Sequence, residues 1–369
     1  MRYRASPHIA LKRLADLTAK QREPFEELKS DPDFYGLFIP KPPLVMNLKS
    51  VSRQTARLFR KLAKPSRLDA ATAADVVGLV LDGIFEVESD GAFVSGADAL
   101  PLLAPPPDPP ALRDAAARLS REALLYAQDL ETNDPQTLAT ALYLYNRLPL
   151  TPFWKARFAT AEAILGHVGA DRGALKTLLE REWNFTARAR GWLSWYPKRG
   201  WRPRSSDVTY KLYISPRPER MRDAFEVVAR VLADFSGTPF KIGNSAIGLL
   251  RPDKMVAYFT AREDLDEAAD ALRRELAGCD AHGVPFSAGL DGGGLLSWGV
   301  DPPETEHVLR WLGRDSWRVW LGRHLAGALS IAKLAQTPAA VEPWRFAIER
   351  ARRLGVDVET WTPSPTLWG

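Results

Sequence analysis

The sequence predicts an α+β protein with a mainly helical first half followed by a sheet-and-helix second half, and three observations carry this. Apolar residues recur at helical spacing between Ala111 and about Glu182. From Asp207 the pattern changes to two-residue alternation in runs such as VTYKLYIS, separated by amphipathic helical stretches. The chain of 369 residues, 46% hydrophobic and 26% charged, is long enough for two domains and ordinary enough to bury a full core. We place the division near residue 205, giving regions 1–205 and 206–369.

Residues 1 to about 65 read as helices interrupted by the proline-rich IPKPPLV, Ile39–Val45, with a basic helical stretch QTARLFRKLAK after Ser52. A further helix, opened by Asp69 or Ala71, runs towards Leu81. FEVESDGAFVSG then reads as two short strands about an Asp90-Gly91 turn. Helices followed by a hairpin form a winged-helix pattern, which serves DNA- and peptide-binding modules and plain structural units alike. APPPDPP, Ala104–Pro110, reads as a stiff linker. ALRDAAARLSREALLYAQDLE and QTLATALYLYNRL follow as helices.

Trp183–Ser206, WNFTARARGWLSWYPKRGWRPRSS, contains no acid. Its cations Arg188, Arg190, Lys198, Arg199, Arg202 and Arg204 interleave with Trp192, Trp195, Tyr196 and Trp201. Aromatics among cations stack on bases or grip a peptide; the same residues suit a tryptophan-anchored connection with a solvated basic face. Beyond it, VTYKLYIS is a strand with Lys211, Tyr213 and Ser215 on one face and Tyr210, Leu212 and Ile214 on the other. ERMRDAFEVVARVLADF is an amphipathic helix ending at Ser236-Gly237. TPFKIG and KMVAYFT are strands, the second placing Lys254, Val256 and Tyr258 together. Asp264–Leu276 is a helix, AGLDGGGLLSWG a glycine-dense loop, and SWRVWLGRHLAGALSIAKLA a final helix. A sheet with helices on one side results.

Composition excludes several classes of chemistry. One cysteine, Cys279, allows no intramolecular disulfide or thiolate cluster, which fits a reducing cytoplasm. The N-terminus lacks the apolar stretch of a signal peptide, and Val76–Phe85 is too short to span a bilayer. His8, His167, His282, His307 and His324 are scattered without ligand spacing, so no metal site is expected. There is no Walker A loop and no GxSxG. The charge of +5 and pI near 9.2 favour an anionic partner. What remains is a set of cations and phenols on strands: Lys211 with Tyr213, Lys254 with Tyr258, and Lys241 beside Phe240. Arg251, Arg318 and Arg323 lie near them in sequence. Half-buried tyrosines and lysines that reach to solvent account for such residues equally well.

The blocks YKLYIS, FKIGN, LRPDKMVAYF, GVPFSAGLDGGGLLSWG and SWRVWLGRHLAGAL, in this order, resemble the HopA-type effector family. The first three also resemble the lyase domains of class III lanthipeptide synthetases, relatives of the bacterial phosphothreonine lyases. The resemblance covers roughly Asp207–Ala335. It implies a phosphothreonine-lyase-like domain that eliminates phosphate from phosphoserine or phosphothreonine, leaving a dehydroamino acid, without metal or organic cofactor. The substrate would be a phosphorylated precursor peptide, and the partner a separate peptide kinase, as in class V lanthipeptide and thioamitide pathways. By the same resemblance Lys241 is the base, Lys211 contacts phosphate, and Arg251 and Lys254 bind phosphate and carbonyl oxygens, with Tyr258 beside them. Tyr213 stands where the family has its catalytic His, leaving Tyr213 or His324 as the acid. Arg318 and Arg323 would replace arginines absent from the glycine-rich block; five helical positions put them roughly 140° apart, so one faces the site. The alternative is a catalytically inactive phosphopeptide-binding or scaffold subunit. An effector-like protein and a nucleic-acid binder complete the set of readings.

Overall fold

The computed structural model describes residues 1–105, 108–187, 191–200, 208–235, 238–302, 315–337, 340–365 and 367. Its first 52 residues contain four strands where the sequence led us to expect helix, β1 (Tyr3–Ala5), β2 (Ile9–Arg13), β3 (Phe34–Pro40) and β4 (Lys49–Ser52), with short helical segments between β2 and β3 at Leu14–Asp16, α1 (Ala19–Arg22) and Glu23–Ser30. FYGLFIP is dense in aromatic and apolar side chains that suit a half-buried pleat, and β3 lies between β2 and β4. Gly36 is required there, because a Cβ on it would meet the Lys12 carbonyl oxygen at 2.2 Å.

The basic helix α2 (Arg53–Lys61) follows, capped by the Ser52 hydroxyl, which accepts from the Thr55 N–H at 3.1 Å. Asp69 caps α3 (Ala70–Asp75) through the Thr72 N–H at 2.9 Å, and α4 (Val77–Leu81) completes this group. β5 (Phe85–Ser89) and β6 (Ala92–Val94) form the expected hairpin, with Asp90 at φ 50 and Gly91 at φ 81. Both turn residues lie in the left-handed region that two-residue hairpins demand. β1 pairs with the outer side of β5, and α5 (Gly96–Leu103) leads away. The proline-rich linker falls partly outside the described residues, at 106–107.

Residues 115–182 are helical, as the periodicity predicts: α6 (Ala115–Asp129), α7 (Pro135–Leu144), α8 (Pro152–Arg157), α9 (Ala161–Val168) and α10 (Gly173–Glu182). Asp114 and Asp134 accept N–H bonds from the first turns of α6 and α7, each at 2.7 Å. The aromatic, basic stretch that comes next is not a connection. It supplies β7 (Trp183–Thr186) and β8 (Trp192–Pro197), while residues 188–190 and 201–207, with four of its arginines and Trp201, lie outside the described residues.

β9 (Thr209–Ile214), α11 (Met221–Asp234), β10 (Phe240–Gly243), α12 (Ala246–Leu249), β11 (Met255–Phe259), α13 (Arg262–Glu275), β12 (Ala288–Gly289) and β13 (Leu296–Asp301) complete the sheet and one helical layer. The expected end of α11 at Ser236-Gly237 is outside the described residues. The seven strands run antiparallel in the order β12-β13-β9-β11-β10-β8-β7. After the sheet come α14 (Trp317–Ala332), α15 (Pro343–Arg353) and the small pair β14 (Val356–Asp357) and β15 (Thr362–Pro363).

Strand alternation sorts the two faces. Leu212, Ile214, Phe240 and Ala257 point towards α11 and α13 and join Phe225, Val228, Leu265 and Leu272 in the largest core. Trp195 stacks on Phe240 at 5.0 Å in the same layer. Tyr213 and Val256 face the other way, towards Val284. Helices cover part of that second face too, which the sequence did not anticipate: the Trp317 N–H at the start of α14 donates to Asp301 at the end of β13, at 2.9 Å. α14 packs with α6, α7 and α15 in a second core that reaches back to Leu81 and Leu100. Both large cores draw residues from before and after residue 205. No described helix is long and apolar enough to cross a membrane.

Candidate active site

Three neighbouring strands put a cluster of cations and phenols on the second face. Directly opposed residues of an antiparallel pair point the same way. The register sets Tyr213 and Lys241 opposite Val256 from either side of β11, and Lys211 opposite Tyr258. These five side chains line a cavity of about 220 Å³ that Trp192 of β8, Tyr143 of α7 and Arg318 and Val319 of α14 complete. Asp253, Asp315 and Ser316 reach it as well. The resemblance-derived residues Lys211, Tyr213, Lys241, Tyr258 and Arg318 therefore meet in one place.

Their electrostatics differ. Lys211 is paired with Asp301 at 2.5 Å. Asp253 is fully buried and holds two guanidinium groups: Arg251 donates to it at 2.9 and 2.7 Å, and Arg318 lies at 2.9 Å. The Tyr143 hydroxyl donates to Asp253 at 3.2 Å and accepts from Arg251 at 2.5 Å. Burial by itself would raise the Asp253 carboxyl, but Arg318 and Arg251 overturn that and hold it well below the usual carboxylate range. Arg318, 1% exposed, also donates to the backbone oxygens of Pro285 and Tyr143, each at 3.0 Å. Its Nη1 sits at ion-pair distance from Asp253 but is not aligned to hydrogen-bond with it. That nitrogen keeps a donor for something else.

Lys241 differs from the other cations. Its amine lies over the Trp192 ring at 4.2 Å and the Tyr258 ring at 5.1 Å, with no carboxylate in contact among the described residues. Burial, with repulsion from Lys211, pulls it down to about 8. Burial pushes the Tyr213 and Tyr258 phenols well above their ordinary value, so both keep their protons. Lys211, Lys241, Arg251 and Arg318 set against Asp253 and Asp301 leave an excess of two positive charges. Asp315, at the rim, is matched by Arg323 at 2.5 Å.

Two expected site residues are elsewhere, and the placement of each needs correcting. Lys254 precedes β11, and its fully buried amine turns away from the cavity to donate to the Pro216 oxygen at 3.0 Å and meet His282 Nδ1 at 2.6 Å. His324 lies six positions along α14 from Arg318, roughly 120° round the helix. It bonds the Trp320 oxygen at 2.8 Å, and the charges acting on it are Lys49, Asp82 and Arg350 of a different contact. It does not line the cavity. Arg323 reaches the site only through Asp315, and Arg251 joins through Asp253 and the Trp192 ring, 5.4 Å away. The glycine-dense loop is committed to itself: Asp291 accepts the N–H groups of Gly294, Leu295 and Leu296 at 2.8–3.1 Å, so these donors are not open to a phosphate.

Sequence reasoning missed Trp192, Tyr143, Asp253 and Asp301. Trp192 stood in the flagged aromatic, basic segment, and Asp253 lay between two flagged cations. Tyr143 carried no signal beyond an amphipathic helix.

No protein-family model matches the chain, and no curated protein matches it. Among solved structures it is similar to an effector protein from Pseudomonas syringae pv. tomato strain DC3000 and one from Pseudomonas syringae pv. syringae strain 61. Each has a TM-score of 0.42 and 14% sequence identity, over 69% of this chain and 99% of the effector chain. A likeness of this degree says nothing about chemistry.

Proposed function

We propose that the cavity binds a phosphorylated serine or threonine side chain of a peptide and eliminates the phosphate. The observation that carries this reading is Lys241: a half-buried amine lowered to about 8, with no carboxylate in contact among the described residues, set among fixed cations and neutral phenols. A general base works best when its pKa lies near the working pH. The neutral Lys241 amine takes the Cα proton, the freed electron pair forms the Cα=Cβ bond, and the Cβ–O bond breaks. The electrons leave with the phosphate oxygen, which takes a proton from the Tyr213 phenol. The proton gained by Lys241 then restores the Tyr213 phenolate to the phenol, so both groups return to their starting states.

With Lys241 neutral as the base, the remaining cations exceed the carboxylates by one, which favours an anionic phosphate, and Arg318 Nη1 and Lys211 are the groups we assign to it. Cations fixed before the reaction contribute several kcal/mol where charge develops, on the order of a 10²–10³-fold rate effect per donor. The cavity is smaller than the roughly 300–1,000 Å³ of sites for drug-sized ligands, which suits one phosphorylated side chain better than a nucleotide. The sequence blocks resembling the HopA-type and lanthipeptide-synthetase lyases point to the same reaction. They also point to a ribosomally made precursor peptide, phosphorylated in the cytoplasm by a separate kinase.

A silent phosphopeptide-binding subunit is the second reading. It is favoured by the Lys211–Asp301 pair, which already occupies one phosphate ligand, and by Tyr213 where the family has His. Mass spectrometry of a phosphothreonine peptide separates the two. The lyase removes the mass of phosphoric acid, and Lys241→Ala abolishes that loss. An unchanged mass alongside measurable binding supports the silent subunit instead.

A further inference from the structure

Between Asp33 and Asp69 the chain carries eight Lys and Arg residues and no acid, a longer acid-free run than Trp183–Ser206, and the cavity uses none of it. The middle of this run folds into α2. Its apolar side chains point inward: Ala56 and Leu62 are buried, and Leu58 and Phe59 pack beside them into the cores that hold Val51, Val80 and Phe85. Arg53, Arg57, Arg60 and Lys61 take the opposite side, all exposed, within roughly 100° of arc. Lys64, three residues past the helix, is exposed as well.

These cations keep their charge for an outside partner. Elsewhere in the run Lys49 pairs with Asp82, and the Lys41 amine donates to the Pro7 oxygen at 3.4 Å. On α2 the Arg53 Nε donates to the Pro32 oxygen at 2.8 Å. Arg60 lies over the Tyr35 ring at 4.9 Å and donates to its hydroxyl. Neither contact is to a carboxylate, so each guanidinium is steadied without being neutralised. Arg57, Lys61 and Lys64 have no hydrogen-bond or ion-pair partner among the described residues.

The surroundings narrow the choice of anion. Among the described residues no large apolar side chain between Arg53 and Arg67 is exposed. A folded protein partner needs an apolar anchor, and a lipid surface needs apolar side chains to insert. A single strand needs aromatic rings on which its bases stack, and Arg60 already covers Tyr35. A duplex backbone needs only a row of cations, Arg above all, against its closely spaced phosphates. We propose that α2 binds the phosphodiester backbone of a nucleic-acid duplex, with Arg57, Arg60, Lys61 and Lys64 neutralising four phosphates. Nothing in it depends on the reaction assigned to the cavity.

Fluorescence anisotropy of the full chain with a labelled DNA duplex of roughly 20 bp, and with an RNA duplex of the same sequence, tests this. Wild type binds at least one of them, and four neutralised phosphates make its affinity fall about 100-fold between about 50 and 200 mM salt. Arg57→Gln, Lys61→Gln and Lys64→Gln together lower low-salt affinity at least about 10-fold and leave a salt dependence about a quarter as steep. The thermal melt of this variant stays unchanged, because the three side chains are exposed and unpaired among the described residues. Lys198→Gln with Arg199→Gln, exposed positions of the other acid-free run, changes binding by less than about twofold. No duplex binding by wild type, or binding that the α2 variant leaves intact, overturns the proposal. Tighter, α2-dependent binding of a polyglutamate peptide or of phosphatidylserine vesicles also overturns it, since α2 would then read charge on another kind of partner.

Discussion

Replacing Asp253 with asparagine removes the carboxylate that holds the cavity's arginines in place. Asp253 is 5% exposed and touches three partners: Arg251 at 2.7 Å, Arg318 at 2.9 Å and the Tyr143 hydroxyl at 3.2 Å. The amide keeps the volume and some hydrogen bonds but leaves the buried Arg318 and the half-buried Arg251 without their counter-charge. Breaking a buried pair on one side costs about 3–5 kcal/mol, a large share of the roughly 5–15 kcal/mol that holds a domain folded. Arg318 cannot relieve the strain by swinging outward, because its other nitrogens are tied to Pro285 and Tyr143. The same change reaches Lys241: Asp253 supports its charged form, so the amine falls below its present value of about 8. Urea unfolding monitored by tryptophan fluorescence reads the first effect, and the pH dependence of Lys241 acylation by an amine reagent reads the second. A stability loss under about 1 kcal/mol with Lys241 unmoved would refute the argument that this carboxylate organises the site.

The other expected outcomes follow from single contacts. Tyr213→Phe retains phosphopeptide affinity and lowers elimination by roughly 10²-fold or more, the scale of a lost general acid, as single-turnover mass spectrometry checks. Gly243→Ala destabilises the fold, since its Cβ would lie 2.5 Å from the Gly248 backbone carbon and push α12 away from β10; a lower urea midpoint shows it. Lys254 makes stability depend on pH. Burial brings its amine down to about 7 from an unfolded value of 10.5, so between those values the unfolded chain binds more protons and stability rises with pH. The rise is on the order of a few kcal/mol, and Lys254→Met flattens that part of the denaturation–pH curve.

Strand parity and turn chemistry made parts of the site legible in the sequence. The alternation of VTYKLYIS assigned Leu212 and Ile214 to the core and Lys211 and Tyr213 to the cavity face, and Asp90-Gly91 located the first hairpin. Parity misled at Lys254, which lies one residue before β11 and whose long side chain turns to the Pro216 oxygen and His282 instead of the cavity. The N-terminal strands were hidden because Phe34–Pro40 runs into prolines, which read as an interruption rather than the end of a strand. β7 and β8 were hidden for a related reason: the arginines and lysines that flank them suggested a solvated link, while Trp183 and Trp195 within them pack into the core. Tyr143 and Asp301 enter through contacts between distant elements, which one-dimensional spacing does not encode.

Phosphorus and proton NMR of a phosphothreonine peptide, followed over time with wild type and with Lys241→Ala, test the central claim most directly. The account predicts that free phosphate and the vinylic proton of dehydrobutyrine grow together with wild type, and that neither grows with Lys241→Ala. Phosphate appearing with threonine regenerated would mean hydrolysis, and no phosphate from wild type would mean no turnover; either result contradicts elimination by Lys241.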